Sequence, residues 1–288
     1  MVGSDARLTQ CAAPYWKRLA AEWVPPLVVR WGNALLNRRQ AIRYTGNYRS
    51  WEDARGDSDG YDQDLILAAV CQAARLARDG EVAFERDAVT FDRIESSYPL
   101  LAGLLRIACL NGNYLHVLDF GGSLGSTYYQ CRRFLQCVTE LHWSVVEQAA
   151  FVECGQREFE SGPLRFFVDL ETCYRWRQPN VVLLSGVVQY VADPHALIHE
   201  ILDRKPRHVI VDRTPMLHGE RDRLTVQRVP PFIYGRAVRY PAWFLGRNRF
   251  MGNFASDYLV ESEFPALDSP YWIDGSCAVF SGFLFDRK

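Results

Sequence analysis

The 288 residues contain no C-x-x-C pair, no H-E-x-x-H or comparable histidine array, and almost no net charge, with 33 Lys and Arg against 34 Asp and Glu. Each absence removes a class of protein. The eight cysteines (Cys11, Cys71, Cys109, Cys131, Cys137, Cys154, Cys173 and Cys277) are scattered without zinc or redox-motif spacing. They read as small buried hydrophobes of a reducing compartment, and no metal is expected. A net charge of −1 provides no whole-surface field to gather nucleic acid or an anionic membrane. No apolar run reaches the roughly 18 residues of a spanning helix, and no basic stretch followed by a long apolar one opens the chain. Neither a membrane span nor a secretion signal is expected, and the default expectation is a cytoplasmic protein.

With 48% apolar and 23% charged residues, the chain has an ordinary globular composition, large enough for one core with an appended layer. The segment Trp23 to Arg39, broken by Pro25-Pro26, reads as an arm packed on its own domain, with weak peripheral contact to a membrane as the alternative. Residues 44–54, aromatic and glycine interleaved, read as an ordered loop. Apolar positions at helical spacing from Asp64 to Arg78 predict a helix stopped by Gly80, and Pro99 to Leu110 predicts another ended by Asn111-Gly112.

From Tyr114 the pattern changes to regular alternation. Strands are predicted at 114–118, 142–146, 164–168, 180–184 and 207–212, with helices at 126–138, 148–161 and 193–202 between them. Asp193-Pro194 supplies a capping acid and a first-turn proline for the last of these helices. Such alternation predicts an α/β fold with a doubly wound, mostly parallel sheet. Residues 213–254 interrupt it with Pro215, Pro230-Pro231, Gly235, Pro241 and Gly246; Ser256 to Phe264 reads as a short helix, and 271–285 as two strands joined by Asp274-Gly275. The expected organisation is an N-terminal arm and helical lid over 1–110, then a cofactor-binding domain over 111–288 with an acceptor-side insertion at about 213–254.

Chemistry concentrates after the first of the alternating strands. Asp119-Phe-Gly121-Gly122-Ser123-Leu-Gly125 runs from strand to helix, and its glycines let backbone N–H groups approach a ligand without a Cβ in the way. The spacing is not the G-x-G-x-x-G of a dinucleotide site. It resembles motif I of class I S-adenosylmethionine (SAM) methyltransferases, acid-x-G-x-G-x-G, with Ser123 in the middle glycine's place. Glu147 ends the next strand, 22 residues after Gly125, where a carboxylate can accept both ribose hydroxyls of either SAM or NAD.

Five strings together, Tyr44 to Ala54, Leu118 to Tyr128, Trp143 to Gln148, Gln189 to Pro194 and Asp212 to Pro215, resemble a family of bacterial SAM-dependent methyltransferases often encoded among surface-polysaccharide or O-antigen genes. The similarity covers roughly residues 24–286. It implies a seven-stranded Rossmann-like sheet ending in an antiparallel hairpin. It further implies SAM held by Asp119, Gly121, Gly122, Ser123, Gly125 and Glu147, with Asp169 towards the adenine and Ser185 at the end of the fourth parallel strand.

Gln189 and Tyr190 follow that strand as candidates to orient an acceptor hydroxyl, and Asp212 or His218 as a general base. Methyl transfer from a sulfonium needs mainly alignment, so no base is obligatory. Seven arginines between 221 and 249, interleaved with Phe232, Tyr234, Tyr240, Trp243 and Phe244, suit an anionic ring-bearing acceptor, or else a solvated insertion with its own small core. The expected activity is methylation of a small or glycan-linked acceptor, foremost a sugar hydroxyl in surface-polysaccharide biosynthesis. The alternatives are a catalytically silent scaffold of the same fold and an NAD-dependent sugar oxidoreductase, the latter disfavoured by the glycine spacing.

Overall fold

In the computed structural model the described residues, 42–58, 63–93, 97–266, 268 and 270–288, carry thirteen strands and nine helices. Ile42–Lys288 is one compact unit; the segment at 23–39 lies outside the described residues. The unit begins with β1 (Arg43–Tyr48), α1 (Trp51–Gly56), α2 (Gln63–Asp79), β2 (Phe84–Arg86), β3 (Val89–Phe91) and α3 (Tyr98–Leu110). The alternating part is β4 (Tyr114–Phe120), α4 (Ser126–Cys131), β5 (Glu140–Val146), α5 (Ala149–Glu158), β6 (Leu164–Phe167), α6 (Leu170–Trp176), β7 (Val181–Ser185), α7 (Pro194–Asp203) and β8 (His208–Leu217). It closes with β9 (Arg223–Val229), α8 (Pro231–Tyr234), β10 (Val238–Gly246), α9 (Arg247–Gly252), β11 (Tyr258–Pro265), β12 (Tyr271–Ile273) and β13 (Ser276–Arg287).

Five parallel strands lie in the order β6-β5-β4-β7-β8. Antiparallel β13 joins β8, and β11 joins β13, which completes the seven-stranded, doubly wound sheet. The chain runs outward from β4 to β6 and then returns to β7 on the other side, so the crevice at the carboxyl ends of β4 and β7 is a topological switch point. Strands buried on both faces need apolar residues at successive positions. Val117 of β4 accordingly faces a core shared with α2, α3 and α5, while the next residue, Leu118, faces one shared with α6, α7 and α9. Each large side chain withdrawn from water there contributes about 1.5–3 kcal/mol.

Long-range pairing overrode several local expectations. Residues 256–264 are not helical: Tyr258–Pro265 is strand β11, paired with β13, because an unfilled sheet edge supplies hydrogen bonds that a short exposed helix lacks. Asp274 and Gly275, both left-handed (φ 44° and 83°), do turn a hairpin, but its short arm is β12, and the partner that extends the sheet is β11. The helix expected over 126–138 stops at Cys131 and is followed by a 3₁₀ turn at Leu135–Cys137. Residues 44–54 are a strand and a capped helix, with Ser50 Oγ accepting from the Asp53 N–H at 3.1 Å. The interruption at 213–254 contains β9 and β10, which with β1 form an antiparallel flap attached to the end of β8. Cys71, Cys131, Cys154 and Cys173 are buried as expected, whereas Cys109 and Cys137 are exposed. Among the described residues no helix is long and apolar enough to cross a membrane.

Candidate functional site

The loop after β4 is tight because two of its residues have no room for a side chain. Gly121 has φ +68°, and a Cβ there would lie 2.3 Å from a methyl of Val187; a Cβ on Gly122 would lie 2.6 Å from the Asp119 carboxyl. Gly125 precedes the first turn of α4. Ser123 holds φ +55°, a left-handed conformation uncommon for a residue with a Cβ. The serine that stands in the middle glycine's place thus adopts a glycine-like backbone conformation.

Asp119 does not line the cleft beside this loop. Its carboxyl is 1% exposed and lies under Gly122, accepting from the Trp143 indole N–H at 3.0 Å. Burial, together with the nearby Glu147 charge, pushes its pKa up to about 7. Its function is to support the loop from below.

A cleft of about 740 Å³ opens at the carboxyl ends of β4 and β7 and brings together Gly121, Ser123, Glu147, Asp169 and Tyr190. Glu147 Oε2 accepts from the Gln148 N–H at 2.6 Å. Burial lifts the Glu147 pKa above the ordinary carboxylate value, and the Gln148 and Ser123 amides act against the lift. Asp169 caps α6, accepting from the Thr172 N–H at 2.7 Å, which lowers its pKa. Ile66 and Val70 of α2 and Phe151 of α5 form an apolar wall.

A smaller cavity of about 60 Å³ adjoins the same loop, lined by Gly122, Ser123, Ser185, Glu85, Asp212 and Arg213 among others. Two carboxyls there are 1% exposed, and each has an oxygen without a hydrogen-bond partner, Glu85 Oε2 and Asp212 Oδ1. Burial raises Glu85 to about 7 and Asp212 to about 6. Ser126 Oγ donates to the other Glu85 oxygen. Orphaned buried carboxylate oxygens are costly in a finished core, about 1–3 kcal/mol or more each, and natural at a site that receives a donor. Arg213, itself left-handed (φ 56°), bridges Asp268 (3.1 Å) and Asp87 (3.2 Å) at the cavity edge.

Glu85 was invisible in the sequence because its hairpin turns through Asp87-Ala88, both left-handed (φ 52° and 65°). An Asn-Gly or Asp-Gly pair would have announced such a turn; alanine does not. The only available signal was the alternation of Phe84, Arg86, Val89 and Phe91.

On the far side of the cleft, Tyr190 donates to Gln227 Oε1 at 2.8 Å, and Gln227 Nε2 donates to Tyr240 Oη at 3.2 Å. The two phenols meet edge to face at 5.4 Å, and Trp51, Tyr234 and Tyr240 line the cleft with Tyr190. Gln189 is not among the described residues lining either cavity. It is buried, and its Nε2 donates to the Arg213 carbonyl at 3.3 Å. His218 is likewise not at the site, since β8 runs on to Leu217 instead of ending near Asp212 and leaves His218 exposed beyond it.

The arginines of 221–249 were expected either to face an anionic acceptor or to belong to a solvated insertion with its own small core. None is among the described residues lining the cleft. Arg223 binds the Gly46 carbonyl and Asp274, Arg247 binds Glu263, and Arg249 binds Asp222. These three arginines fasten the segment to its surroundings, through acids that lie on turns and on β11. The described lining itself has Asp87, Glu147, Asp169 and Glu200 against Arg55.

No protein-family model matches the chain, and no curated protein matches it in sequence. Among solved structures it is similar to the N-terminal domain of EvdMO1 in the presence of SAH and D-fucose, at 15% identity over 79% of this chain and 98% of that one, with a TM-score of 0.42. It is also similar to SAM-bound CalS10, an amino pentose methyltransferase from Micromonospora echinaspora, at 13% identity over 67% and 92% of the two chains (TM-score 0.41). A third is magnesium protoporphyrin IX methyltransferase from Synechocystis PCC 6803 with bound SAM, at 11% identity over 97% and 100% (TM-score 0.40).

Proposed function

We propose that this chain is a SAM-dependent methyltransferase acting on a hydroxyl of a small or glycan-linked acceptor, in the cytoplasm, within surface-polysaccharide biosynthesis. The observation that carries the reading is the convergence of Glu147 and the Gly121–Ser123 turn on one cleft, beside a polar cavity with two orphaned buried carboxylate oxygens. The residues present fit the group. Glu147 offers a carboxylate to vicinal ribose hydroxyls, the wall of Val70 and Phe151 takes a flat base, and Glu85 Oε2 offers an acceptor to an ammonium.

Bound there, SAM supplies a methyl group on a positively charged sulfur. The chain's own task is then to align and deprotonate a nucleophile. Tyr190 and Tyr240, fixed by Gln227, and Trp51 give a sugar-like ring a stacking face with hydroxyl partners. A cleft with four carboxylates and one arginine among its described residues favours an uncharged acceptor over an anionic one. Asp212, with a free Oδ1 and a pKa raised to about 6, is ionised at neutral pH yet basic enough to take a hydroxyl proton as the methyl bond forms. Gln189 positions this corner through the Arg213 carbonyl.

Calorimetric titration of SAM and S-adenosylhomocysteine into the wild type and Glu147→Ala tests the reading. Loss of the charge-assisted hydrogen bonds is expected to weaken binding by about 1.5–3 kcal/mol, roughly 10- to 150-fold. Absence of binding to the wild type, or undiminished binding to the variant, would count against it. Transfer of labelled methyl from SAM into cell-envelope precursors is the expected activity.

A further inference from the structure

We propose that Cys71 and Cys154 are a modification site: under a disulfide oxidant they form a reversible disulfide that ties α2 to α5 behind the cleft wall. Their sulfurs are 3.4 Å apart, with both residues buried. A bond needs about 2.0 Å, so an approach of roughly 1.4 Å between two packed helices suffices. Cys71 directly follows Val70, and Cys154 lies about one helical turn after Phe151. Val70 and Phe151 both line the cleft, so the bond would tie together the two helices that form this wall.

A carboxylate paired with two arginines borders the pair. Cys71 Sγ donates to Glu158 Oε2 at 3.8 Å. Arg157 and Arg75 hold Glu158 below the ordinary carboxylate pKa, and their contacts are 2.9 and 2.7 Å. The three ligand atoms of Cys71, Cys154 and Glu158 lie within 4.8 Å of one another, but the two guanidiniums already occupy both Glu158 oxygens, so a cation would have to displace them. Two thiols in contact remain.

With a low-molecular-weight disulfide RSSR as oxidant, the Cys71 thiol attacks one sulfur and gives up its proton. The first RS⁻ leaves and takes up that proton. Cys154 then attacks the Cys71 sulfur of the mixed disulfide, displaces the second RS⁻ and gives it the Cys154 proton. Two protein thiols and RSSR become one protein disulfide and two RSH, the protein losing two electrons and the oxidant gaining them. Burial pushes the Cys154 thiol up to about 12, so its proton is the one released in the second step.

The test is incubation of the reduced full chain with oxidised glutathione, followed by peptide mapping by mass spectrometry without reduction. A Cys71–Cys154 cross-linked peptide, two hydrogens lighter than its parts and released by dithiothreitol, is expected, with a rise of several degrees in Tm. Cys71→Ser and, separately, Cys154→Ala should remove both signals. Glutathione adducts confined to exposed Cys109 and Cys137, with no cross-link, overturn the proposal. So does a cross-linked chain with unchanged Tm. Neither readout uses SAM, so failure of the methyl-donor reading leaves this result intact.

Discussion

Trp143 of β5 donates its indole N–H to the Asp119 carboxyl at the end of β4, across 3.0 Å. The bond joins neighbouring strands beneath the glycine loop and leaves the loop resting on a buried acid. Trp143 is itself fully buried. Trp143→Phe removes the donor and leaves the carboxyl without it. An unfolding free energy lower by about 1–3 kcal/mol is expected from the lost hydrogen bond alone, measured by urea denaturation, and Asp119→Asn in the same background should recover part of it by removing the charge.

Gly122→Ala tests the same contact from above. Its Cβ would lie 2.6 Å from both Cγ and Oδ2 of Asp119, so either the loop or the carboxyl has to move. Cofactor binding is expected to fall by more than tenfold while the chain remains folded; calorimetry and circular dichroism separate the two effects.

Asp119 also predicts a pH dependence of stability. Its folded pKa is raised to about 7 by burial, against about 4 for an unfolded aspartate. Between these values the native state holds a proton that the unfolded chain has released, so this group makes stability fall as pH rises from about 4 to about 7. Its favourable contribution is complete below about 4 and gone above about 7. Glu85, raised to about 7, acts with the same sign. Tm measured across this range should decline less steeply in Asp119→Asn than in the wild type; parallel curves would contradict the assignment.

Two variants separate alignment from proton transfer. Tyr190→Phe breaks the link to Gln227 and is expected to raise the acceptor KM with the SAM dissociation constant unchanged. Asp212→Asn is expected to lower kcat by roughly 10²- to 10⁴-fold. In the wild type kcat should fall as pH drops through about 6, the raised value of Asp212, because the protonated carboxyl cannot accept the hydroxyl proton. A rate insensitive to Asp212→Asn would assign alignment alone to the site.

The parallel strands, the helices α5 and α7 and the glycine loop were legible because each is written locally, whereas α6 had no expected counterpart and α4 is shorter than expected. β7 is a run of four buried apolar residues, α7 carries an acid and a proline at its start, and the Gly121-Gly122 pair admits no Cβ. Glu147 was legible as well, as an acid immediately after the apolar strand β5. Sites built from remote pieces were not. Glu85 reaches the cavity on a hairpin whose turn lacks glycine, and Tyr190 meets Tyr240 through Gln227 only after β9 and β10 pair.

Taken by itself, the sequence determined the alternation, the core and the place where the chain opens a ligand cradle, since hydrophobic period and glycine position act over a few residues. The tertiary structure alone decided the use of each acid. Asp119 and Asp212 both end apolar parallel-strand runs, yet one is covered by a loop and bonded to an indole, while the other keeps an oxygen facing a cavity. That difference is made by what packs over each acid, and those partners come from segments far away in the chain. The same holds for the arginines of the flap, whose acids lie on other strands and turns.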